Sequence, residues 1–139
     1  QLAVAKPAFR AFSILMQGRI ALLRRDPLRA EGLLRQALEV AGGFAEAYLW
    51  LGDLYAAHPE LDPDSRRVAL LERAAGLRQG GESVLVPHPL ALYRLADSML
   101  GVDAELASRA ARAYATWYGR ADDLARREFP SPPAARTIE

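Results

Sequence analysis

The sequence has no cysteine, no asparagine and a single lysine, Lys6. Without cysteine there is no disulfide framework, no thiolate metal site and no thiol nucleophile. The charges nearly cancel. With 18 basic and 17 acidic residues the net charge is +1, so no global field draws the chain to nucleic acid or to an anionic membrane. Long apolar runs are missing as well. The longest stretch without a charged residue, Ser83 to Tyr93, is 11 residues and holds two prolines, too short and too broken to span a bilayer. There is no glycine-rich phosphate loop, no His-Glu metal spacing and no nucleophile elbow. These absences argue against an enzyme and against a bound cofactor or metal. Acidic residues interrupt the arginine pairs at 24 to 25, 66 to 67 and 126 to 127, and no repeating polar code stands out, so nucleic acid is not an expected partner.

What is present is arginine, alanine and leucine in quantity. Of the 18 basic residues 17 are arginine, the composition of a GC-rich genome, which points to a bacterial source and a soluble chain of cytoplasm or periplasm. The chain opens on Gln1 with neither methionine nor signal peptide, as expected of a processed protein or of a piece of a longer one. Nearly every segment places apolar residues at i, i+3, i+4 and i+7, with breaks at proline and glycine, which predicts an all-α chain. The expected helices cover 7 to 24, 27 to 40, 45 to 57, 64 to 78, 89 to 100, 103 to 118 and 120 to 128. Pro7, Pro27 and Pro89 stand where a first helical turn accepts a residue without an N–H, and Gly42-Gly43 and Gly80-Gly81 where helices stop. Asp64 or Ser65 is the expected cap of the fourth helix. Val84, Leu85 and Val86 are the one short extended candidate. Residues 130 to 139, with three prolines, read as a disordered tail or linker behind a domain of residues 1 to 129.

A glycine in the middle of an amphipathic helix costs about 1 kcal/mol relative to alanine. This chain does it twice, at Gly18 in ILMQGRIALL and Gly52 in YLWLGDLYAA, 34 residues apart. A third copy, LALYRLADSML, puts Ala96 in the glycine's place after a spacing of 44. Between the glycines, Ala30, Leu34 and Ala37 share one helix face. Tyr48, Leu51, Gly52 and Tyr55, with Ala30, Leu34 and Ala37, resemble the pattern of the tetratricopeptide repeat family. The irregular spacing also allows a Sel1-like relative with longer repeats. Departures from the pattern are Ile14 for the aromatic, Gln17 before Gly18, Arg67 for a small residue, and Ser108 and Arg112 in the last unit. The resemblance covers about residues 8 to 118. It implies a right-handed α-solenoid of about three antiparallel helix pairs plus a C-terminal capping helix.

The family also implies a concave surface, lined by the first helix of each pair, that takes a peptide or a partner helix. By helical spacing that surface draws Phe12, Leu15, Met16 and Arg19, with Leu22 and Leu23, from the first helix. The third helix supplies Glu46, Leu49, Trp50 and Asp53, and the fifth Tyr93, Arg94 and Asp97. Trp50 either lines this groove or packs against a neighbouring unit. A carboxylate clamp of lysine and asparagine, one mode known in the family, is not expected, because the matching sites carry Leu15, Arg19, Asp53 and Asp97. The expected function is a noncatalytic protein interaction module. The alternatives are an assembly segment of a larger protein and a regulatory domain attached to an enzyme or transcription factor.

Charge is uneven along the chain. Residues 1 to 43 carry seven basic and three acidic residues, and residues 44 to 64 carry five acidic and none basic. The acidic loop with Glu60, Asp62 and Asp64 reads first as a solvated loop with helix caps and second as a dock for a basic partner. His58 and His88 precede prolines at helix edges and read as loop or cap positions. The first helix is apolar nearly all round, so one side should meet a preceding unit, a second copy of the chain or a ligand, and a homo-oligomer through this helix is one expected outcome. The seventh helix should turn Leu124 and Phe129 inward.

Overall fold

The computed structural model describes residues 2–77, 84 and 86–132, and for residues 2–6 only the backbone. The described residues form seven α-helices and no strand: α1 (Leu2–Leu23), α2 (Pro27–Val40), α3 (Ala45–Ala57), α4 (Arg67–Ala74), α5 (Pro89–Ser98), α6 (Ala104–Arg120) and α7 (Asp123–Glu128). A short 3₁₀ turn, Pro59–Leu61, follows α3. Four of these helices begin on a side chain that takes an orphan N–H. Asp26 accepts from Arg29 at 3.3 Å, Asp103 from Leu106 at 3.1 Å, Asp122 from Ala125 at 2.8 Å, and His88 Nδ1 from Leu90 at 3.2 Å. His88 thus occupies the cap position expected of it, and His58 closes α3.

Several boundaries differ from the sequence reading, most at α1 and α4. α1 begins at Leu2, so Pro7 lies inside the helix, where its exposed ring removes one N–H and leaves the helix continuous. α4 is shorter than 64 to 78. Its first N–H groups, of Arg66 and Arg67, are taken at 2.8 and 3.1 Å by Asp62, while Ser65 sits at φ 53°, outside helical geometry. At the other end Gly76, at φ +73°, closes α4 with paired bonds from Gly76 N–H to the Arg73 carbonyl (3.1 Å) and from Leu77 N–H to the Glu72 carbonyl (2.9 Å). The Gly80-Gly81 stop, Leu85 and most of the tail after Pro130 lie outside the described residues.

The helices pack as neighbours. The most extensive contacts are α1 on α2, α3 on α4 and α5 on α6, and the second helix of each pair touches the first helix of the next. Gly18 shows why the first pair closes. A Cβ on it would stand 3.0 Å from Leu34 Cδ2, and Leu34 is completely buried. Gly18 lies eight residues before Asp26, and Leu34 eight residues after it. That symmetry about the turn makes α1 and α2 antiparallel. Gly52 repeats the device in the second pair, with Leu71 Cδ2 at 3.1 Å from where its Cβ would be. In the third pair Ala96 is buried at the equivalent place.

Two apolar clusters result. Ile14, Leu15, Ala30, Leu34, Ala37, Leu51 and Tyr55 anchor the one around α1 to α3. The other joins Tyr48 and Leu49 of α3 to Leu71, Leu92, Leu95, Leu106 and Tyr114. α3 contributes to both, which explains why its sequence is apolar on nearly every side. At the C-terminal end α7 folds back on α6: the Phe129 ring meets Trp117 edge-on at 4.9 Å, Arg126 donates to the Tyr118 and Gly119 carbonyls, and the Tyr114 hydroxyl donates to the Pro130 carbonyl. Phe129 turns inward as expected. Leu124 does not: it is 68% exposed, because the α7 contact runs through Arg126 and Phe129 instead.

Candidate functional site

α1, α3 and α5 present a shared surface on which four of the expected residues meet. The Arg19 guanidinium lies over the Trp50 ring, 4.8 Å from its centre. One turn further along α3, Asp53 Oδ1 is 2.9 Å from Arg94 Nε on α5. The two junctions use the same register. Arg19 and Asp53 each follow their glycine by one residue, while Trp50 precedes Gly52 by two and Arg94 precedes Ala96 by two. Each first helix therefore reaches the next one through equivalent positions, once by a cation on an aromatic face and once by an ion pair.

Trp50 is half-buried, packed against both apolar clusters while keeping one face toward Arg19. It packs on the core and keeps one side at the surface, where the sequence pattern poses groove and core as alternatives. Beside it opens a cleft of about 410 Å³ lined by the apolar Leu22, Leu54 and Trp50 and by the charged Arg25, Asp26 and Asp53. Arg25 and Asp26 belong to the α1–α2 turn and are absent from the sequence-based set. Nothing in a local pattern marks them, since only the approach of that turn to α3 brings them to the site.

Burial pushes the Asp53 carboxyl above its usual range, and the attraction of Arg94 only partly offsets the rise. The carboxylate has lost more from water than its one cation returns. His88, the cap of α5, is held below its usual value, chiefly by burial and also by Arg94, with Glu46 pulling the other way. Arg94 thus acts on both Asp53 and His88, whereas Glu46 is tied to the other groove residues by no hydrogen bond or ion pair among the described residues.

Two of the expected groove residues belong to the core, and a third, Tyr93, is half-buried against it. Leu15 and Leu49 are each only 1% exposed, and the Tyr93 ring packs edge-on against Tyr114 at 5.3 Å. The reason is helical phase. Each stands three residues before its glycine or alanine, which at about 100° per residue puts it on the same side of the helix and into the interface. Met16 is half-buried at the position equivalent to Trp50, Asp97 is exposed at the position equivalent to Asp53, and Phe12 is 47% exposed, its ring 6.0 Å from Phe44.

On the α2 side of α3 a second polar group forms. The Tyr55 hydroxyl donates to Glu31 Oε2 at 2.6 Å and accepts from Arg35 at 2.7 Å. The acidic loop is spent locally: Asp62 caps α4, and Asp64 pairs with Arg66 at 3.2 Å. Among the described residues no group of three or more His, Asp and Glu is placed to hold a metal ion, and no helix is long and apolar enough to cross a membrane. Comparison with protein-family models, with curated proteins and with solved structures gives no significant match.

Proposed function

We propose that this chain is a noncatalytic protein interaction module, a right-handed α-solenoid of tetratricopeptide type that captures a peptide or partner helix across α1, α3 and α5. The observation that carries the reading is the repeated register of the Arg19–Trp50 and Asp53–Arg94 contacts, which makes one continuous surface from three helices. That surface joins an apolar cleft to a carboxylate short of compensation. The ligand it suits has an apolar side chain to fill the cleft at Leu22 and Leu54 and a basic one to reach Asp53. Such a cation would restore to Asp53 the stabilisation that burial removes. Trp50 supplies a large, rigid contact area at low entropy cost, and Arg19, Arg94 and Asp97 set the register.

The test is selection of peptides displayed on phage against the chain, with counter-selection against Trp50→Ala. Recovered peptides should bind the parent and lose binding to both Trp50→Ala and Asp53→Asn, with helical content unchanged by circular dichroism. Peptides indifferent to both substitutions would reject the surface. A second reading, a segment that builds a larger assembly through α1, rests on the exposed side chains of Phe9, Phe12 and Leu23.

A further inference from the structure

α1 has two apolar faces, one buried and the other covered only in part, where Phe12 meets Phe44 and Met16 touches the cluster of α1 to α3. Taking Gly18 as the centre of the face packed on α2, Ile14, Leu15 and Ala21 fall within about 60° of it at about 100° per residue, and all three are buried. On the opposite side, centred at about 160°, runs a stripe of Phe9, Phe12, Met16, Ile20 and Leu23. Phe9 is 77% exposed, Leu23 74%, Ile20 48% and Phe12 47%, with Met16 half-buried at the centre. The spacings are three, four, four and three residues, close to the 3.5-residue period that lets one helix lie along another as knobs into holes. Contiguous apolar surface of this kind marks an interaction site.

The charges around the stripe decide what fits it. Residues 1 to 25 contain five basic residues and no acidic one. Arg10 and Arg24, both exposed, flank the stripe on one side, and Arg19 flanks it on the other. Two α1 helices laid together, parallel or antiparallel, would bring arginines together with no acidic residue on either helix to offset them, so a second copy of this face is the wrong complement. An anionic membrane is also a poor match. Attraction of that kind draws on clusters of about four to eight basic residues, and although residues 1 to 25 hold five, Arg19 is engaged with Trp50 and Arg25 lines the cleft, so the five are not gathered beside the stripe. We infer that the outer face of α1 is a docking surface for an acidic amphipathic helix, with apolar residues at heptad spacing and Asp or Glu on the flanks that meet Arg10 and Arg24. Arg19 stands between this face and the cleft beside Trp50, so the two surfaces adjoin along α1.

The probe is a synthetic helix of about three heptads with leucine at the seam and glutamate on the flanks, paired with a twin in which lysine replaces glutamate. Titrated into the whole 139-residue chain, the acidic helix should bind, weaken as salt rises, and exceed the lysine twin in affinity by about tenfold or more. The double variant Phe9→Ser/Leu23→Ser should abolish binding. Both side chains are mostly exposed, so thermal unfolding should stay within a few degrees of the parent. Arg10→Glu/Arg24→Glu should invert the preference toward the lysine twin. Equal affinity for the twins, or binding of neither, would overturn the inference. So would a dimer in sedimentation that the Phe9→Ser/Leu23→Ser variant dissolves, since a second copy would then be the occupant. Uptake onto vesicles with about a third phosphatidylserine, lost in that same variant, would assign the face to a membrane and equally overturn it.

Discussion

The Arg19 guanidinium lies 4.8 Å from the centre of the Trp50 ring and is the contact that carries α1 onto α3 along the candidate surface. A cation over an indole contributes about 0.5–1 kcal/mol when exposed and more when water is excluded. A double-mutant cycle with Arg19→Ala and Trp50→Leu should therefore give a coupling of about 0.5–1 kcal/mol in urea unfolding. Trp50→Leu alone should cost about 1–2 kcal/mol, less than a fully buried aromatic, because the ring is only partly buried. A coupling of zero would reduce the contact to coincidence and remove one of the two junctions on which the binding surface rests.

The interior glycines make opposite predictions at matched positions. Gly18→Ala places a Cβ 3.0 Å from Leu34 Cδ2, inside a cluster where Leu34 has no exposed surface. Overpacking of this kind costs about 1–3 kcal/mol, against about 1 kcal/mol gained in helix propensity, so the variant should lose about 1 kcal/mol. Gly32 lies on the exposed face of α2, and a Cβ there would meet nothing within 4 Å. Gly32→Ala should gain about 0.5–1 kcal/mol. Chemical denaturation of the two variants beside the parent measures both signs in one experiment, and a stabilised Gly18→Ala would refute the close-approach account of the helix pairs.

Much of this architecture is legible in the sequence because it is written in local chemistry. Apolar periodicity, Pro27 and Pro89 at first turns and the paired glycines locate every helix and both close crossings. The α4 ends escape such a reading because the cap comes from Asp62, several residues upstream of the helix, and the stop from Gly76, which looks ordinary without its backbone angle. The site is half legible. Arg19, Trp50, Asp53 and Arg94 stand out by helical spacing and do meet, whereas the same spacing puts Leu15, Leu49 and Tyr93 on the groove when their phase relative to the small residues turns them toward the core. Arg25 and Asp26 cannot be placed from sequence, since the approach of a turn to a helix far along the chain is a tertiary fact.

His88 should make stability depend on pH near neutrality. Its Nδ1 accepts the Leu90 N–H, so protonation there removes the cap of α5, and burial together with Arg94 opposes the charge more than Glu46 favours it. The folded state therefore binds the proton less tightly than the unfolded chain, whose value is near 6.5. Stability is full above that value and falls as the pH drops from it toward the lowered folded value. His88→Asn keeps a capping side chain at the start of α5 and cannot titrate. Thermal melts from pH 8 to 5 should show the parent losing stability through this window and the variant losing less of it; parallel curves would exclude His88 as the source.

Asp53 should behave in the opposite sense, and the contrast separates a residue kept for binding from one kept for stability. Its carboxyl is raised by burial despite Arg94 at 2.9 Å, so the folded state binds a proton more tightly than the unfolded chain does. Its contribution is then most favourable below the ordinary value of 3.8 and declines as pH rises through the raised folded value. An ion pair placed for stability would do the reverse. Asp53→Asn removes the buried charge and leaves Arg94 with solvent access, so at pH 7 the variant should be as stable as the parent or more so, with the difference vanishing in acid. The same variant should lose affinity for a ligand that brings a basic side chain to the cleft, which is the stability–function conflict expected at a binding site. If Asp53→Asn destabilises the chain at pH 7 and leaves peptide binding intact, the Asp53–Arg94 pair is a structural clip, and the proposed recognition of a cation at this surface is wrong.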